Sequence, residues 1–230
     1  MSRTAHSYAL AGAALLAALA FAPAVNAERA ATDDACPSSS AKVLAELAAD
    51  KADACAGAAD AINFFEKLGL KVSEAPSITV SAQIPAEAGP TAAGCFIEDR
   101  RRIYIVPYEK FRKLKTWFGV RIDRRMYRSL AAHEAAHALA ACNFSVPRPT
   151  IQAKEYVAYV AMFATMDPAL RANALRATPG TGFTGEERIT PLLYMFDPMR
   201  FGAESYRHFI RPEVGPSFLR SVLEGRALLE

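Results

Sequence analysis

Leu130-Ala131-Ala132-His133-Glu134-Ala135-Ala136-His137-Ala138-Leu139-Ala140-Ala141-Cys142 is the stretch on which both the fold and the chemistry of this chain turn. Apart from His133, Glu134 and His137 it holds only Ala, Leu and a terminal Cys. A helix that is apolar nearly all round is a buried helix. Burying three polar side chains is costly unless they are paired or bind a metal. On a helix, His133 and His137 stand one turn apart and point the same way. Two imidazoles so placed can close on a single Zn²⁺. Glu134 lies about 100° round the helix from His133, so it flanks such a metal without binding it. A carboxylate there can take a proton from metal-bound water. The bland alternative is two core histidines and a salt-bridged glutamate.

Catalytic zinc uses three protein ligands and one open position. Beyond the motif the chain carries His6, near its start, and His208. His208 is not spaced for the H-E-x-x-H-x-x-G-x-x-H pattern, which would want Gly and His where Ala140 and Asn143 stand. The metzincin arrangement is therefore excluded. The next acid after His137 is Glu155, in TIQAKEYVAYVAMF. That segment reads as a second helix, with Thr150 as N-cap and Pro149 ending the loop before it. Glu155 is the lone acid on a helix otherwise lined by Val157, Val160, Ala161, Met162 and Phe163. It is the candidate third ligand. The alternative is an ordinary first-turn acid favoured by the helix dipole.

HEAAH, a short turn with Pro147 and Pro149, and then KEYVAYVAMF together resemble the gluzincin metallopeptidases. The small, exported form is most similar to the minigluzincins. The resemblance covers residues 96–165 and implies a zincin-like fold. It implies His133, His137 and Glu155 as zinc ligands and Glu134 as general base. It further implies a His or Tyr donor from a later helix, opposite the metal. His208, in ESYRHFIR, fits that role by residue type and position. Tyr206 could serve instead, since on a helix the two side chains diverge by about 200° and only one can face the site; the other alternative is a surface or half-buried His208 with no role. One departure stands out. Thermolysin-like members carry an Asp four residues after the ligand Glu, and here that position is Tyr159. The support around the ligands must be built differently.

The first 27 residues, MSRTAHSYALAGAALLAALAFAPAVNA, read as a signal peptide. Arg3 and His6 precede an apolar run, and Val25-Asn26-Ala27 is an acceptable cleavage site. The run is short and Ala-rich for a membrane anchor, and an uncleaved anchor is the alternative. Residues 28–230 then form one exported domain, secreted or periplasmic, large enough for a sizeable core. The leader carries one arginine, so the formal charge falls from +3 to +2 on its removal. That balance gives no argument for nucleic acid.

The four cysteines are Cys36, Cys55, Cys95 and Cys142. No two lie at CxxC distance, which rules out a zinc ribbon. In an oxidising compartment an even count suggests two disulfides. Of the three possible connectivities, Cys36–Cys55 and Cys95–Cys142 are expected. The first would join neighbouring helical segments, and the second would tie a hairpin to the end of the HEAAH helix.

Residues 40–50 and 52–68 read as helical, stopping at Gly69. Residues 77–85 alternate and read as a strand. CFIE (95–98) and RIYIVP (102–107) read as a hairpin, with RIYIVP as an exposed edge strand beside the cleft, the alternative being an interior strand with both edges paired. Asp123 reads as the cap of the HEAAH helix, residues 178–191 as a loop, and the remainder as short helices. The expected class is α+β, with a short antiparallel sheet against the HEAAH helix. The expected function is zinc-dependent hydrolysis of peptide bonds in a substrate held along an edge strand. The alternative is a catalytically inactive binding or structural protein on the same scaffold.

Overall fold

The computed structural model describes residues 34–89 and 91–229. The expected signal peptide lies outside the described residues. Along the chain come strand β1 (Lys42–Leu44), helix α1 (Ala48–Lys67), strands β2 (Ser77–Val80), β3 (Gly94–Ile97) and β4 (Arg102–Ile105), and helix α2 (Tyr108–Phe111). A small hairpin of β5 (Thr116–Trp117) and β6 (Val120–Arg121) follows. Helices α3 (Arg124–Ala141), α4 (Ile151–Thr165), α5 (Pro168–Ala177), α6 (Pro191–Phe196), α7 (Pro198–Phe209) and α8 (Gly215–Leu223) complete the chain. The class is α+β.

Helix α3 is the centre of the molecule. Its start is set by Asp123, whose carboxylate accepts the Met126 amide at 2.9 Å. Helix α1 packs closely along it because the contact is made of small residues. Gly57 is the closest point: a Cβ there would lie 2.3 Å from the Arg128 carbonyl oxygen. Ala54, Ala58 and Ala61 on α1 and Ala131 and Ala135 on α3 share the same core. Arg124, at the start of α3, bonds both Asp50 (2.5 Å) and Asp53 (3.0 Å) of α1. Asp50 is fully buried and also accepts the Tyr108 amide, so three helices meet at one carboxylate. Helix α4, capped by Thr150 as expected, covers another face of α3.

The four-stranded sheet has the order β1-β2-β4-β3. β1 pairs parallel with β2, β2 parallel with β4, and only β3 pairs antiparallel, with β4. The expectation of an antiparallel sheet is thus corrected to a mixed one. The parallel pairs are β2 with β4 and β1 with β2, and β1 takes residues 42–44 out of the helix expected over 40–50. Val43 buries its side chain and pairs with Ile78, a tertiary gain that overrides local alanine-rich propensity. The chain then crosses through α1, and a strand–helix–strand crossover returns in the same direction.

The hairpin is where it was expected, turning at Arg101 with φ of 46°. Its roles are exchanged, however. β4 (Arg102–Ile105), expected at the edge, is interior, with Ile103 and Ile105 fully buried. β3 is the last strand of the sheet. The reason is that β2 takes the side of β4 that a lone hairpin would have left open.

Cys36 and Cys55 form a disulfide, as expected, joining the segment before β1 to α1. Cys95 and Cys142 are free, which corrects the second expected pairing. Cys142 closes the C-terminus of α3 with its sulfur 2.7 Å from the Arg101 guanidinium. Cys95 lies on the cleft wall near Glu134. The two thiols therefore have different neighbours.

Candidate metal centre

His133 and His137 project from the same face of α3, and their Nε2 atoms lie 3.2 Å apart. Glu155 reaches them from the first turns of α4. Its Oε2 is 3.6 Å from His133 Nε2 and its Oε1 is 3.5 Å from His137 Nε2. One donor atom from each of the three residues falls within 4.8 Å of the others. Tetrahedral zinc with bonds of about 2.0–2.2 Å sets its ligand atoms about 3.3–3.5 Å apart, so these spacings suit it. The Glu155 Oε2 atom is buried and has no hydrogen-bond donor, and neither has His133 Nδ1 a partner. A buried carboxylate oxygen with no donor is expensive, and a cation between it and the imidazoles would satisfy it. The residues present fit a zinc ion.

Burial sets the electrostatics. It holds the His133 imidazole well below its ordinary pKa, with His137 adding to the effect. His137 is lowered to about 4 by burial and by Lys154. Both rings are therefore neutral at pH 7, the form that ligates metal. Burial raises Glu155 to about 7, against the opposing hydrogen bond from Tyr194 and the charge of Lys154. Glu134 is pushed well above the carboxylate range by burial and then by Glu155. A bound dication would reverse that logic by favouring both carboxylates.

These groups open onto a cleft of about 810 Å³. His133, Glu134 and His137 face it from α3. Gly94, Cys95 and Phe96 of β3 form one wall, and Ile151, Lys154 and Glu155 of α4 form the other. Lys154 and Glu98 make an ion pair of 3.1 Å between the two walls. The α3–α4 connection contributes Phe144, Val146, Pro147 and Pro149, an apolar end to the cleft. Gly94 lies against the Glu134 carboxylate, so β3 runs directly beside the acid.

A model of a family of unknown function, DUF6639, matches residues 41–230. The chain belongs to the DUF6639 family. No curated protein and no solved structure matches it. The span matched to DUF6639 contains the whole cluster: His133, Glu134, His137 and Glu155.

His208 does not join the cluster. It sits on α7 with Nδ1 2.9 Å from the Tyr156 hydroxyl and its ring against Phe218. It is buried between α4 and α8 and does not line the cleft. Tyr206 is elsewhere too, stacked on Phe163. The helix period explains the outcome. Tyr156 follows Glu155 directly on α4, so the two side chains diverge by about 100° and a partner of one turns away from the other. Tyr159, which stands where an orienting Asp was absent, lays its ring on His133 with a centroid separation of 4.5 Å.

The residue that sequence reasoning missed is Tyr194, on α6. It lines the cleft and offers its hydroxyl to Glu155. The available signal was Thr190-Pro191, a helix start with Thr190 accepting the Leu193 amide, followed by LLYMF with one polar tip. That signal locates a helix but says nothing of where it docks.

Proposed function

We propose that this chain is an exported zinc-dependent peptidase. The observation that carries the reading is the convergence of His133, His137 and Glu155 from two helices, with Glu134 beside them, on a cleft bounded by an edge strand. His133, His137 and Glu155 would hold Zn²⁺, which would supply a Lewis acid able to polarise a carbonyl and to lower the pKa of water to about 7. Glu134 accepts a proton at its carboxylate from the water whose oxygen bonds the scissile carbonyl carbon, and returns it to the amine nitrogen as the C–N bond breaks. The open side of β3 pairs with the backbone of an extended peptide, which holds substrates of varied sequence. Tyr194 lines the cleft wall with its single O–H directed at Glu155, so it supports that carboxylate and does not take the donor role first expected of His208. The Cys36–Cys55 disulfide supports an oxidising destination. Among the described residues no helix is long and apolar enough to cross a membrane.

A second reading is a zinc-holding binding protein without turnover. The enclosure of Glu134 under Gly94 favours it, because a covered carboxylate has restricted access to substrate. Metal analysis followed by a peptide-library digest, with and without chelator, separates the two. Chelator-sensitive cleavage is the expected result. Stoichiometric zinc with no cleavage of any peptide overturns the peptidase in favour of the binding protein.

A further inference from the structure

We infer that Phe201 and Gly202, at the start of α7, are positioning residues for the metal centre, acting on its ligands through Tyr159 and Tyr194. The inference rests on the zinc reading of the site and concerns how its ligands are held.

A metal-bound histidine is ordinarily oriented by a hydrogen bond to its second ring nitrogen. His133 Nδ1 is buried with no such partner. Its orientation must then come from packing, and beside its partner His137 the ring that packs on it is Tyr159, inclined at 50°. Tyr159 has no room to retreat. Gly202 lies against its ring, and a Cβ at that position would come within 2.6 Å of Cδ1 and 2.8 Å of Cγ. Any side chain at position 202 would push the ring toward His133 or out of its site.

Phe201 completes the arrangement. It is fully buried and touches both tyrosines, at centroid separations of 6.3 Å from Tyr159 and 5.7 Å from Tyr194. Tyr194 in turn lines the cleft with its hydroxyl directed at the Glu155 carboxylate, whose Oε2 stays without a donor. One dipeptide of α7 thus backs two aromatic side chains, one against an imidazole ligand and the other on the carboxylate ligand. Neither Phe201 nor Gly202 lines the cleft.

The test is Zn²⁺ affinity of the intact exported protein, measured by chelator competition, with the visible spectrum of the Co²⁺-loaded protein as a report on ligand geometry. Gly202→Ala and Tyr194→Phe should each weaken Zn²⁺ binding by about tenfold or more, the usual effect of losing a group that orients a ligand. Both should alter the Co²⁺ spectrum and leave the circular dichroism of the metal-free protein unchanged. Tyr159→Ala should weaken binding as well, and Tyr159→Phe, which keeps the ring, should restore it. Should Gly202→Ala fail to fold, Tyr194→Phe and the Tyr159 pair carry the test. Wild-type affinity and spectrum in Tyr194→Phe and Tyr159→Ala overturn the clamp while leaving the zinc reading intact. A wild-type protein that takes up no Zn²⁺ overturns the zinc reading itself, and the clamp with it.

Discussion

Gly94 lies over the carboxyl group of Glu134: a side-chain carbon at position 94 would sit 2.6 Å from Oε1. The edge strand and the acid are therefore in direct contact, and no larger residue fits between them. Gly94→Ala should displace Glu134 while leaving His133, His137 and Glu155 in place. Peptide hydrolysis should fall by about tenfold or more, as expected for a misplaced reacting group, with zinc content unchanged. Kinetics beside metal analysis on the same preparation check this. Full activity in Gly94→Ala would mean that Glu134 does not act from its present position.

Glu134→Gln separates binding from chemistry. The amide has nearly the same shape, so the fold and one equivalent of zinc should be retained. It takes up no proton at neutral pH, so hydrolysis should fall by at least about a hundredfold, at the lower end of general-base contributions. His137→Ala should lose the metal as well. Undiminished cleavage by Glu134→Gln would sink the mechanism.

The cysteines make a prediction that needs no assay of function. Cys36–Cys55 closes a loop with a sequence separation of 19 residues. Replacing both by Ser should cost about 3 kcal/mol of stability in the chain-entropy account. Thiol titration of the unfolded, unreduced protein should find Cys95 and Cys142 free. Peptide mapping that links Cys95 to Cys142 would contradict the arrangement of β3 and the end of α3.

His208 gives a pH dependence. Burial among Phe183, Phe218 and Tyr156, and then the charge of Arg211, hold its imidazole below the ordinary value, against a smaller opposing effect of Glu213. The unfolded chain therefore binds a proton at His208 at a higher pH than the folded one. Its contribution to stability is fully present above about pH 6.5, the unfolded value, and is lost as pH falls toward the lower folded value. Thermal melting from pH 7.5 down to 5 should show this loss. His208→Gln, which keeps a hydrogen-bonding group but does not titrate, should flatten that part of the curve. An unchanged slope in the variant would assign the acid sensitivity to other groups.

Much of the centre was legible without coordinates because helical geometry is local. HEAAH places two imidazoles on one face whatever surrounds them, and the apolar residues between them demand a buried helix. Asp123 and Thr150 cap by bonding amides three residues on, so α3 and α4 begin where their sequences say. Glu155 stood out as a single acid in an apolar run. The Cys36–Cys55 pairing was within reach for a related reason, since both partners lie on adjoining segments.

What only the tertiary structure decided depends on contacts between distant segments. Residues 42–44 became a strand because Val43 could pair with Ile78, and the pairing of β2 with β4 moved the free edge beside the cleft from β4 to β3. Cys142 faces Arg101 rather than Cys95 because of how the hairpin turns. His208 was drawn to Tyr156, and the place expected of it, beside the cluster of His133, His137 and Glu155, went to Tyr194, on a helix whose sequence names no target. A local pattern specifies an element and the faces it presents. Which face meets which partner is set by the packing of the whole core, where each contact excludes others, and no short stretch of sequence carries that information.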